Sequence, residues 1–218
     1  MRMVKTPLLV LVLLALAGCA PKAFDYTAFR ESAPQSILVL PPINSSLEVG
    51  AGQAIMASSL IPLAESGYYV FPPTLVYEMF KENGLLVPAE IHAVSLERIR
   101  EVFDPDAVLY ISISEYGQKY FIIGSAAIVT LDARLVDARS GFEIWNGTAT
   151  ANSQEGQASA GGGLVGLLVQ SVVDQVVGHL ADQSYQMSKI ATGRLLSAGQ
   201  RNSLIYGPRH ERVGQNGP

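Results

Sequence analysis

The sequence predicts an α/β protein with a mixed β-sheet: a β-α-β-α-α opening, a three-stranded antiparallel group and a long C-terminal helix. Three observations predict it. Short apolar runs, "ILVL" and "YYVF", are each closed by a proline pair, as short strands buried on both faces would be. Apolar residues then recur at helical spacing, and from Ala107 the period changes to two. A Gly-rich and Ser-rich loop finally leads into a long, broadly apolar helical pattern. Elements in this order pack as helices on a mixed sheet.

Taken in order, Ile37 to Leu40 is too short a run for an ordinary helix and is stopped by Pro41 and Pro42, so it reads as a strand. A helix is expected over 48–65, where Ile55, Met56, Leu60, Ile61 and Leu63 are apolar and Pro62 calls for a kink or an early end. Ser66-Gly67 turns the chain into the second strand, closed by Pro72 and Pro73. Thr74 is the expected cap of the next helix, with Leu75, Val76, Met79 and Phe80 on one face and Gly84 at its end. Another helix follows Ser95, with Leu96, Ile99 and Phe103 on one side, and Asp104-Pro105-Asp106 stops it. In "AVLYISIS", Leu109, Ile111 and Ile113 share a face. In 126–136 the apolar face alternates with Thr130, Asp132 and Arg134, so that strand should be wet on one side. "DARSG" turns the chain back and "FEIWNGTAT" returns as the antiparallel partner. The loop 152–163 opens the last helix, expected over 164–190, and the chain after Gly193 reads as tail.

The amino terminus is of a different kind. Arg2 and Lys5 precede an apolar run from Leu8 to Ala17, and small residues lead into Cys19, the three-part order of a secretory leader. The run is shorter than the ~20 residues a membrane-spanning helix needs. Leu16, Ala17, Gly18 and Cys19 look like a bacterial lipobox, in which the thiol takes a diacylglycerol and the chain is cut before it. Cys19 is the only cysteine, so an internal disulfide is excluded. The expected division is a leader over 1–18, a lipidated tether over 19–35, one α/β domain over 36–208 and a loose tail over 209–218. Phe24, Tyr26 and Phe29 give the tether aromatic side chains that can pack on the domain. Attachment is through acyl chains such as palmitate, with two or more chains anchoring stably where one does not. Ala20 after the cysteine, where an aspartate would resemble an inner-membrane retention signal, favours the outer membrane.

The net charge of −4 argues against a nucleic-acid partner and against a polybasic grip on anionic lipid. Chemistry is weakly supported. His92, His179 and His210 lie far apart, with no H-E-x-x-H pattern, and no G-x-S-x-G elbow nominates a serine. "GGGLVG" is followed by no Lys-Ser or Lys-Thr pair, so it reads as a flexible helix entry. The expectation is therefore no enzyme, no cofactor and no metal. The rival is an envelope hydrolase using Asp104, Asp106 or Asp132, which would require these acids to converge with a histidine. Binding of a small apolar ligand beneath the last helix is a third reading. Gln170, Asp174 and Gln175 interrupt that helix and argue against a membrane span, whereas its wide apolar face suits burial or a partner. Candidate partner contacts are Leu167, Val172 and Val176 on the helix, and Tyr206 and Arg209 in "LIYGPR". The same surfaces are compatible with a homo-oligomer.

The words "ILVLPP", "LAESGYYVFP", "NGLLVPAEIHAV", "DAVLYISISEYG", "LVDARSG", "LLSAGQ" and "LIYGPR" resemble an uncharacterised family of bacterial outer-membrane lipoproteins of the neisserial surface-antigen type, over nearly the whole mature chain. More distantly, the β-α-β opening and the "DAVLYI" strand resemble the amino-terminal domain of the translocation protein TolB and the curli-secretion lipoproteins. The resemblance implies no catalytic residues. It implies a TolB-like α/β domain facing the periplasm that recognises envelope proteins, a curli-secretion-like lipoprotein among them.

Overall fold

A computed structural model describes residues 24–121, 124–155, 179–200 and 202–215. The order of elements is α1 (Thr27–Ser32), β1 (Ser36–Val39), β2 (Ile43–Asn44), α2 (Ala51–Glu65), β3 (Tyr69–Val70), α3 (Pro73–Glu82), α4 (Pro88–His92), α5 (Leu96–Phe103), β4 (Ala107–Phe121), β5 (Gly124–Asp137), β6 (Glu143–Asn152) and α6 (His179–Leu196). The leader, the lipobox with Cys19, "GGGLVG", and Leu167, Val172 and Val176 lie outside the described residues.

The strands form one six-stranded sheet in the order β3-β1-β4-β5-β6, with β2 also paired to β4. β1 runs parallel to β3 and β4, whereas β4, β5 and β6 are mutually antiparallel neighbours. The sheet is mixed, as the change of period predicts. β1 is buried on both faces because it lies between neighbours with helices above and below. Ile37 and Val39 enter one core with Leu109, Ile111, Leu131, Leu135, Trp145 and Leu195, and Leu38 and Leu40 enter a second with Val76, Phe80, Ile91, Ile99 and Val108. Full burial of each such side chain stabilises the fold by about 1.5–3 kcal/mol before entropy is set against it. Towards β6 the second layer runs out, and Asp132, Arg134, Asn146, Thr148 and Thr150 face water.

Several boundaries differ from the expectation for identifiable reasons. Helix α2 begins at Ala51 and not at 48, because Asn44 and Ser46 hold the preceding chain in a loop: Ser46 N–H and Oγ both bond Asn44 Oδ1, at 3.0 and 2.7 Å. Thr74 is not a cap. Pro72 takes the cap position and Pro73 the first turn, where a missing N–H costs nothing. Ser95 does cap α5, its Oγ accepting from Arg98 N–H at 3.3 Å. Pro62 sits in the last turn of α2, three residues before the helix ends. Helix α6 runs past 190 and through Gly193 to Leu196, because Ala191, Leu195 and Leu196 are core residues whose burial outweighs one glycine. Within the stretch expected as a tether, α1 is ordered by Phe29, which is 1% exposed.

Candidate interaction surfaces

The acids that would serve a hydrolase do not converge. Asp104 is the left-handed C-cap of α5, with φ of 46°, and its N–H bonds Arg100 O. Asp106 Oδ2 accepts from Gln35 N–H, Ser36 N–H and Ser36 Oγ at 3.1, 3.0 and 2.9 Å, and its Oδ1 meets Arg139 Nη2 at 2.6 Å. It therefore ties the start of β1 to the β5–β6 turn. Asp132 accepts from Thr148 Oγ1 at 2.6 Å across the wet face of the sheet. Sequence reasoning passed over Asp137, which is 5% exposed and accepts from Ser32 Oγ at 2.6 Å and from Ser140 N–H and Oγ at 2.7 Å each. Desolvation pushes its carboxyl up, but these bonds, with one from Arg139 N–H, outweigh it and hold the carboxyl below its usual range.

His92 and His210 are likewise engaged. His92 Nε2 is 3.0 Å from Pro41 O and its ring stands edge-on to Tyr110, over which Arg134 lies at 4.1 Å. Desolvation lowers its pKa and the Arg134 charge adds to that, against the bond to Pro41. His210 stacks on Tyr206 at 4.2 Å. His179 stands at the described start of α6. Among the described residues, no three of His, Cys, Asp and Glu gather as a metal site.

"LIYGPR" does two things. Leu204 enters the core, Gly207 N–H bonds Ser66 O at 2.8 Å and Arg209 N–H bonds Gly67 O at 3.2 Å, so the segment is pinned on the α2–β3 turn. The approach is close enough to require glycine: a Cβ on Gly67, whose φ is +94°, would stand 2.6 Å from His210 N. Tyr206 and Arg209 remain at the surface, the guanidinium 5.6 Å over the half-exposed Tyr69 ring.

One apolar surface carries no motif in the sequence. Beyond β1 the prolines turn the chain, and Pro41, Pro42, Val49, Met56, Tyr77 and Leu86 line a groove of ≈ 370 Å³ between the β2–α2 loop, α3 and the start of α4. Of its lining residues, Val49 is 90% and Leu86 61% exposed. A signal was present: "INSSLEVG" and "NGLLVPAE" place large apolar residues in turn sequence, where no period buries them. A second exposed pair, Tyr120 and Phe121, ends β4 at the tip of its hairpin with β5. No helix among the described residues is long and apolar enough to cross a membrane.

A mixed sheet clad by helices defines the class: an α/β domain. The chain belongs to the family described as "Putative lipoprotein GNA1162-like", whose model matches residues 24–209. It is 48% identical over 200 residues to a protein of Neisseria meningitidis serogroup B described as a "Putative lipoprotein", covering 90% of this chain and 92% of that one. The crystal structure of lipoprotein GNA1162 from Neisseria meningitidis matches with a TM-score of 0.53 and 47% identity, over 66% of this chain and 99% of that chain. A PelC dodecamer structure from Paraburkholderia phytofirmans gives a TM-score of 0.43 at 15% identity, over 80% of this chain and 92% of that chain.

Proposed function

We propose that the protein is a non-catalytic binding or assembly module of the bacterial envelope, held on the periplasmic side of the outer membrane by acyl chains on Cys19. Membership of a lipoprotein family supports the anchor. The observation that carries the binding role is the open apolar groove, with the strongly exposed Val49 and Leu86 in its lining. Exposed apolar residues clustered around a concave surface are the usual mark of a protein contact. Partners are envelope proteins, a curli-secretion-like lipoprotein among them. Tyr206 and Arg209 are a second set of contacts, and Leu167, Val172 and Val176, outside the described residues, a third.

The test is crosslinking in intact cells followed by mass spectrometry, on the wild type, Cys19→Ala and Leu86→Glu. Cys19→Ala should move the protein out of the membrane fraction. Leu86→Glu should leave it there, folded, but deplete its crosslinks to envelope proteins at least several-fold. A Cys19→Ala protein that stays with the membrane sinks the anchor, and crosslinks unchanged by Leu86→Glu sink the groove.

A further inference from the structure

We propose that the tip of the β4–β5 hairpin, with Tyr120 and Phe121, inserts into the surface of the bilayer that holds Cys19, so that the sheet lies along the membrane. The inference rests on the Cys19 anchor proposed above and adds a second point of attachment to it. Tyr120 is 77% and Phe121 53% exposed. Neighbours along a strand point to opposite faces, so the end of β4 is apolar on both sides of the ribbon. A protein docked on a ribbon covers one face and leaves the other in water. Lipid surrounds an inserted tip and covers both. Little opposes its desolvation: "YFIIGSAAIVTL", Tyr120 to Leu131, contains no charged residue. The ladder runs to the pair of Phe121 with Gly124, so the two arms enter with their backbone hydrogen bonds made. Just below, the Lys119 charge is paired with Glu115, and tyrosine is a side chain of the membrane–water interface.

The length of chain before the domain then fixes the orientation. Phe24 N–H bonds Asn202 Oδ1 at 3.3 Å and Trp145 Nε1 bonds Asn202 O at 3.0 Å, so the domain starts beside Trp145. Trp145 pairs with Leu135, and eleven residues of β5 separate Leu135 from Gly124, about 37 Å along the strand. The tether and the tip are therefore at opposite ends of the sheet. Five residues lead from Cys19 to Phe24 and span at most about 18 Å. With the near end held no higher than that, the tip reaches the same bilayer when the strands lie within about 30° of its plane. The edge strand suits this posture. From Ile144 to Gln154 it and the turn after it carry no charge, and Phe142, just before it, is exposed at the α1 end of the sheet. Aromatic side chains thus stand free at both ends of the line that would lie on the headgroups.

The test uses the full chain, lipidated and reconstituted into vesicles of phosphatidylethanolamine and phosphatidylglycerol. Lipid occupies the Cys19 thiol, so Tyr120→Cys or Phe121→Cys supplies a single free thiol for an NBD fluorophore. Probes at both positions should be quenched by doxyl-labelled phospholipid at least about threefold more strongly than a probe at Glu82→Cys, on the exposed end of α3, and should be shielded from aqueous iodide. Adding Tyr120→Asp to Phe121→Cys should return the probe to water while the protein still floats with the vesicles. Floating protein whose two probes answer to iodide overturns the insertion. So does a lipid signal at only one of the two positions, which marks a one-sided protein contact, and so do probes shielded from both quenchers, which mark cover by another part of the chain or by a second protein. Protein that does not float overturns the Cys19 anchor and this contact with it. Leu86→Glu, which tests the groove, should leave the quenching unchanged.

Discussion

At the residue scale, the fold turns on polar groups that the apolar pattern does not announce. Asp137 is buried with its oxygens taken by Ser32, Arg139 and Ser140, and it joins α1 to the β5–β6 turn. Asp137→Ala removes the shared charged acceptor of these part-buried bonds, and a loss of about 2 kcal/mol is expected in urea unfolding. A loss below about 0.5 kcal/mol would show that the network is ornamental. His92 carries a pH signature. Its folded pKa is depressed by desolvation, so below the ordinary 6.5 the unfolded chain takes up a proton that the native protein refuses. Its contribution is complete above that value and is lost as pH falls from there towards the folded pKa. The urea midpoint of the wild type should therefore fall between about pH 7.5 and pH 5.5, and His92→Phe should flatten that part of the profile. An identical slope in both proteins would assign the loss to other groups. No sequence pattern surrounds His92, and the carbonyl that sets its environment, Pro41 O, lies 51 residues away and is not legible locally.

At the element scale, what could be read and what could not divide along a physical line. Period two in 107–114 and 126–136 marked β4 and β5, because alternation directly reports a sheet with one packed face. It did not report the hairpin's reach to Phe121 and Gly124, where both faces are open and the pattern carries no information. Short elements held by tertiary contact, α1, β2 and α4, carry no signature in the sequence, since two to six residues cannot show a period. Caps were legible where the side chain does the capping and not where proline geometry does. Ser95 is the former case, and Ser95→Ala should cost about 1 kcal/mol by urea unfolding. Thr74→Ala, at the position expected to cap α3, should cost less than half of that, since Pro72 and Pro73 already set the start. Equal losses at the two sites would restore Thr74 as a cap. The groove escaped for a related reason: its apolar residues come from loops and from two short helices, and only the fold brings Val49 and Leu86 to one surface.

At the scale of the whole molecule, the chain after α6 acts as a strap joining elements distant in sequence. Tyr26 Oη donates to Ser203 O at 2.5 Å, Tyr68 Oη to Ile205 O at 2.6 Å and Trp145 Nε1 to Asn202 O at 3.0 Å. The strap therefore holds the ordered N-terminal segment, the α2–β3 turn and β6 at once, and Leu204 enters the same core as Phe29 and Trp145. Burial pushes the Tyr68 hydroxyl pKa upward, so it remains a neutral donor at any physiological pH. If these bonds act through the strap, their worth should vanish when the strap does. Tyr26→Phe and Tyr68→Phe should each cost about 1 kcal/mol in the full chain, each leaving a carbonyl without its donor. In a chain ending at Gln200, already destabilised by loss of Leu204 from the core, the same substitutions should be near neutral, giving coupling energies of about 1 kcal/mol with the truncation. Urea unfolding of six proteins, the full and the truncated chain each as wild type, Tyr26→Phe and Tyr68→Phe, closes both cycles. Additive losses would mean that the two hydroxyls stabilise the fold independently of the strap, and that the strap is a passenger on a domain complete without it.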